Sequence, residues 1–193
     1  MRKMIYLFLF LIGFCLVYFF WPHDELPVIK KVNSFELIST EEETYQLDNS
    51  KVKIISFFYT NCPDICPLTL SDMKELQTTL KEEGLFETEV ELVAITLDPE
   101  VDDLAKIKEY ALLYDADVQG WKWLSGSKEK IEEVTTTFNM VAKKMDDGFV
   151  THSTNMYLVD GKQQIRGIYD MATIKQNVDN DKIMEDVHAL LQE

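Results

Sequence analysis

The sequence is poor in the residues that build special architectures. Three cysteines in 193 residues are too few for a disulfide-stapled fold of this size. Seven glycines and five prolines exclude a collagen-like or linker-like chain. Cations are scarce, with 19 Lys and Arg against 34 Asp and Glu and a formal charge of −15. A nucleic-acid partner is excluded on that balance, because phosphates demand clustered Lys and Arg. Repeats, low-complexity tracts and an internal domain boundary are also missing. What remains is an ordinary globular mixture, 46% hydrophobic, with enough apolar material for one core and too much for disorder. The length suits one domain of common size plus a tail.

The apolar residues are unevenly spread. Arg2 and Lys3 precede Met4 to Trp21, a run without a single charge. At ~1.5 Å per helical residue it reaches about 27 Å, close to the hydrocarbon thickness of a bilayer. A cleaved secretory signal has a shorter apolar core and ends in small residues, whereas this run ends Phe19-Phe20-Trp21-Pro22. Residues 1–21 therefore read as an uncleaved anchor, a single N-terminal transmembrane helix with Tyr18 and Trp21 at the interface. Cys15 raises lipoprotein processing as an alternative, but bulky Phe14 precedes it and the apolar run continues past it. The basic N-terminal side favours a cytoplasmic N-terminus at the cell membrane and an extracytoplasmic remainder. Residues 22–32 carry two prolines and mixed charge and read as a tether, leaving 33–193 as the globular domain.

Within that domain, residues 35–38 and 44–47 suggest an N-terminal hairpin around Glu41-Glu42-Glu43. Residues 53–59 and 91–97 are β-branched and aromatic runs short enough for buried strands. Met73, Leu76 and Leu80 recur at helical spacing between 68 and 83, and Gly84 is a natural stop. Leu104, Ile107 and Ala111 mark a second helix, residues 128–138 a third, and Ile183, Val187, Leu190 and Leu191 the last. Residues 121–124 are a brief extended piece. Residues 155–159 and 165–169 flank the Asp160-Gly161 turn signal. Strands alternating with helices before a closing hairpin and helix predict an α/β sandwich.

The chemistry concentrates in Thr60-Asn-Cys-Pro-Asp-Ile-Cys-Pro67. Cys62 and Cys66 follow a strand and sit where a helix begins, and the unpaired N–H groups and dipole there stabilise a thiolate. Pro67 fits a first helical turn, where a missing donor does no harm. Residues four apart share a helix face, so the sulfurs can meet as a disulfide or on one metal ion. A purely structural disulfide would clip only a tiny loop and constrain the unfolded chain little.

Phe57-Phe-Tyr-Thr-Asn-Cys-Pro-Asp-Ile-Cys-Pro67 resembles the active segment of the Sco/SenC family of copper-binding, thioredoxin-like membrane proteins. That pattern is followed downstream by a His before a strand, and here His152 lies in Val150-Thr-His-Ser-Thr-Asn-Met-Tyr-Leu-Val-Asp160. Leu97-Asp-Pro-Glu-Val-Asp102 and Gly120-Trp-Lys-Trp-Leu-Ser-Gly126 resemble family segments in the same order. The likeness covers roughly residues 33–192. It implies a thioredoxin-like central sheet flanked by helices, with Cys62, Cys66 and His152 binding one copper ion per chain, as Cu(I) and Cu(II), and Cys62 and Cys66 forming a redox-active pair. It further implies a metallochaperone role at the binuclear copper centre (CuA) of cytochrome c oxidase subunit II, with a thiol reductant as second partner. The ligand chemistry agrees, since two thiolates suit Cu(I) and an added imidazole suits Cu(II). Asp98 resembles a family position near the metal face and is an accessory candidate, with a strand-end turn role as the plainer reading.

The other candidates are weaker. His23 lies in the tether and His188 beside the apolar stripe of the last helix. Met140, Met145 and Met156 read as core filler, Asp64 as an exposed loop acid, Tyr59 and Trp121 as packing. The competing class is an extracytoplasmic thiol–disulfide oxidoreductase. Against it, the spacing is C-x-x-x-C rather than C-x-x-C. The prolines, at 22, 27, 63, 67 and 99, leave none just before the late hairpin, and a pure dithiol enzyme has no need of His152. A peroxidase reading rests on Tyr59-Thr60-Asn61-Cys62 alone.

Overall fold

The computed structural model describes residues 25–193 except Asp147, together with Tyr6, Ile12 and Gly13. The expected anchor falls almost wholly outside the described residues, as do Cys15 and His23. Among the described residues no helix is long and apolar enough to cross a membrane.

In chain order the strands are β1 (Lys30–Lys31), β2 (Glu36–Ser39), β3 (Thr44–Gln46), β4 (Val52–Phe58), β5 (Val90–Thr96), β6 (Trp121–Ser125), β7 (Ala142–Lys144), β8 (Val150–His152), β9 (Asn155–Val159) and β10 (Gln164–Asp170). The helices are α1 (Ile65–Glu82), α2 (Leu104–Leu112), α3 (Lys128–Thr137) and α4 (Asn180–Leu191). Eight strands form one sheet in the order β1-β10-β9-β4-β5-β6-β2-β3. β4, β5 and β6 run parallel, and the flanking pairings are antiparallel. β7 and β8 form a separate two-stranded ribbon.

Strands apolar on both faces need a layer on each side. β4 and β5 are buried at all seven positions, and alternate residues feed two cores. Ile54 and Phe58 join Leu92, Trp121 and Trp123 beneath α1, α2 and α4. Ile55 and Phe57 join Val93, Ile95 and Leu124 beneath α3 and the β2–β3 hairpin. β4 therefore delivers its C-terminal end, and the loop that follows, between two rigid layers.

Several expectations shift. α1 begins at Ile65, ahead of the apolar period that sets in at Leu68, with Cys66 and Pro67 in its first turn as expected. Gly84 ends the helix at φ 72°, with Leu85 N–H returning to the Leu80 carbonyl at 2.9 Å. The Asp160-Gly161 turn is longer than a two-residue hairpin, since the Asp160 carboxylate collects the N–H groups of Lys162 and Gln164. The β7–β8 ribbon has no counterpart in the sequence reading, because its residues are largely exposed and show no apolar period. Lys30–Lys31, inside the segment read as a tether, pairs with β10. Nearby, Arg166 donates from Nε to the Leu26 carbonyl at 3.1 Å.

Candidate metal centre

α2, α3 and α4 each open on a side-chain cap: Asp103, Ser127 and Asp179 accept from the N–H three residues on. α1 has no such bond from Asp64, which is exposed. A sulfur substitutes for it. The Cys66 N–H donates to Cys62 Sγ at 3.4 Å, satisfying one of the orphan donors of the first turn. Cys62 is half-buried and Cys66 fully buried, and no disulfide joins them.

The two sulfurs are electrostatically unlike. The Cys66 thiol, donating to Cys62, pulls the Cys62 pKa far below that of an ordinary thiol; His152 and the backbone N–H groups of Asp64 and Cys66 add to this, against the opposing effect of burial. Cys66 is raised for the complementary reason, since it holds the proton that faces the Cys62 thiolate. Of the two, Cys62 is the sulfur that gives up its proton more readily, with Cys66 as the donor beside it.

His152, at the end of β8, faces this pair. Its Nδ1 lies 2.8 Å from the Ser153 carbonyl, a partner that can only accept. Nδ1 is thereby occupied, which leaves Nε2 as the ring nitrogen open to another partner. Tyr59 backs the imidazole, ring against ring at 6.1 Å and 89°, and Phe149 meets the same tyrosine at 6.1 Å. The Tyr59 hydroxyl is buried without a conventional hydrogen bond. Burial and the Cys62 thiolate raise its pKa. Tyr59, read from sequence as packing, is therefore also a wall of the site. Trp121 packs as expected, against Trp123. Among the described residues no group of three or more of His, Cys, Asp and Glu is placed to hold a metal ion.

Asp98 does not join the sulfurs. It is buried and pairs with Lys144 Nζ of β7 at 2.6 Å. The acid that reaches the cysteine loop is Asp102, 1% exposed, which accepts from Thr60 N at 3.0 Å and Thr96 Oγ1 at 2.7 Å, and from the Thr60 hydroxyl. The sequence reading missed Asp102 and Lys144, although the Asp-Pro-x-x-Asp spacing was the available signal. Met140 and Met156 are core residues, but Met145 is exposed on the ribbon. His188 lies far along α4, paired with Glu83 at 2.6 Å.

A cysteine pair astride the start of the helix that follows a central strand, in a mixed sheet covered by four helices, defines a thioredoxin-like protein with a soft-metal or redox site. The chain belongs to the SCO1/SenC family, whose pattern matches residues 24–192. A relative, the SCO1 protein homolog of Bacillus subtilis, is 32% identical over 143 residues, covering 70% of this chain and 72% of its own. Two solved structures are similar. BsSco, described as a member of the Sco family of cytochrome c oxidase assembly proteins with a disulfide switch, is 28% identical with a TM-score of 0.73, covering 87% of this chain and 96% of its own. Arabidopsis thaliana ScoI, solved with copper bound, is 28% identical with a TM-score of 0.70, covering 85% and 100%.

Proposed function

We propose that this chain is a membrane-anchored, extracytoplasmic copper carrier for cytochrome c oxidase assembly, delivering to the CuA centre of subunit II. The observation that carries the reading is the donor set: two unpaired sulfurs at the start of α1 and an imidazole beside Cys62 whose Nδ1 is occupied by the Ser153 carbonyl. Cu(I) is soft and is held by Cys62 and Cys66; the proton of Cys66 leaves as the metal enters, so uptake releases a proton. Cu(II) additionally takes His152. One ion per chain follows from one such set. A thiol reductant is needed as partner, because an oxidised pair cannot ligate copper and an extracytoplasmic setting favours oxidation. The uncharged Met4–Trp21 run supports the anchor.

The stabilised Cys62 thiolate also favours a second reading, thiol–disulfide exchange with the cysteines of the same oxidase subunit. The discriminating experiment mixes copper-loaded protein with the apo copper domain of subunit II and follows metal and thiols separately. A carrier moves copper with its own thiols retained. Thiols oxidised in step with reduction of the partner, without metal transfer, would establish the oxidoreductase reading instead.

A further inference from the structure

The donor atoms sit on elements held in different ways. Cys62 and Cys66 sit on the loop after β4 and on α1, both fixed to the main sheet. His152 sits on the β7–β8 ribbon, which has no ladder pairing with that sheet. On the β8 side the ribbon is tied by Val150, buried in the core that holds Cys66, and by β9, which begins at Asn155. On the β7 side the Asp98–Asp102 turn ties it, and that turn touches the cysteine loop as well. On the cysteine side, the Asp102 carboxylate holds Thr60, two residues before Cys62. Within the turn, the Asp102 N–H donates to the Asp98 carbonyl at 2.8 Å, and the Asp98 N–H to Thr96 Oγ1 at 3.0 Å. On the ribbon side, the Asp98 carboxylate receives Lys144 Nζ at 2.6 Å. Lys144 stands in register with Val150, and Ala142 with His152 itself. Glu100 of the same turn approaches Lys144 at 3.9 Å.

We propose that the Asp98–Lys144 ion pair is a positioning clasp that docks the imidazole-bearing ribbon on the dithiol body, and thereby sets the protein's preference between Cu(II) and Cu(I). The inference rests on the copper-carrier reading. Neither residue is a ligand. The clasp acts only on the ion that uses His152, because the two sulfurs are placed without the ribbon. Asp98 is 3% exposed and Lys144 38% at their side chains, so the acid is fixed in the body while the lysine travels with the ribbon.

The test uses the reduced protein with Lys144→Met, Lys144→Arg, Asp98→Asn and the double variant, and Lys175→Met, exposed and away from the turn, as a surface control. Cu(I) affinity is read by competition with a chromophoric chelator, Cu(II) affinity and thiolate charge-transfer absorption by titration, and ribbon docking by the ring-current shift that Tyr59 imposes on the His152 ring protons in the metal-free protein. Lys144→Met should weaken Cu(II) about tenfold, the lower end of the usual effect of removing an outer-shell support of a metal ligand. It should leave Cu(I) unchanged and reduce the ring-current shift of His152. Lys144→Arg should restore all three. Asp98→Asn should act like Lys144→Met, and the double variant should add nothing further. Equal loss of both ions, or unchanged Cu(II) binding in Lys144→Met, would overturn the clasp. A wild-type protein that binds neither ion would instead remove the carrier reading, while the ring-current arm still reports whether the pair docks the ribbon.

Discussion

At Cys62 a sulfur does the work of a helix cap, while the Cys66 thiol beside it, more than that backbone contact, holds its pKa down. Two outcomes follow at this scale. Alkylation of the reduced protein should modify Cys62 at neutral pH and spare buried Cys66, as peptide mapping would show; equal labelling would contradict the split pair. Stability should also depend on pH with a definite sign. An ordinary thiol titrates near about 8.5, while Cys62 in the folded state stays ionised well below that. Across the interval the unfolded chain binds the extra proton, so folding is favoured increasingly as pH rises towards about 8.5, and the gain is lost as pH falls. Urea unfolding of the reduced wild type against Cys62→Ser should show a stability difference that widens with pH over this range. His152→Ala separates the ligands: Cu(I) should remain near-stoichiometric while Cu(II) and its charge-transfer colour are lost. Either Cys62→Ser or Cys66→Ser should lose tight binding of both ions. A His152→Ala protein that binds Cu(II) like the wild type would refute a three-donor site.

At the scale of elements, β4 carries a cost as well as a scaffold. Lys53 is fully buried in it, with Nζ donating to the Lys51 carbonyl at 2.7 Å. Burial lowers its pKa to about 8, opposed by the charges of Glu91 and Asp160. Below that pH the folded state holds a buried ammonium; from there to about 10.4 the unfolded chain binds more protons and stability rises with pH. Lys53→Met should raise stability at neutral pH by on the order of 1 kcal/mol and flatten that rise, measured by chemical denaturation at several pH values. The elements that could be read in advance were those with a strong apolar signature. Val52–Phe58 and Val90–Thr96 are continuous hydrophobic strands, and the helices from Leu104 and Lys128 hold their expected places. The β7–β8 ribbon was illegible because Ala142, Lys143 and Lys144 are all exposed and hydrophobic period reports only burial. For the same reason Cys62, Cys66 and His152 could be picked out by residue type and resemblance, but Lys144 looked like any surface lysine. Asp98 looked like a candidate ligand until its partner was visible.

For the molecule as a whole, the sheet order divides the chain into segments that meet far from their sequence neighbours. β1 pairs with β10, and β9 lies between β10 and β4. A phosphatase reporter fused after residue 30 should be active only if the domain is exported, and full-length protein should resist carbonate extraction. A soluble product beginning near residue 22 would contradict the anchor.

The insertion of β9 beside β4 also has a kinetic consequence. β4, α1 and β5 are contiguous in sequence, whereas β9 and the ribbon just before it come from about one hundred residues further on, and closing so long a loop delays their docking. In a refolding chain the cysteine pair is therefore assembled before the imidazole arrives. For that interval the protein is a bare dithiol, open to oxidants and to monovalent copper alone. Stopped-flow refolding should show Cu(I) captured in an early phase, together with the burial of Trp121 and Trp123 against β5, while Cu(II) colour should appear only with the last phase.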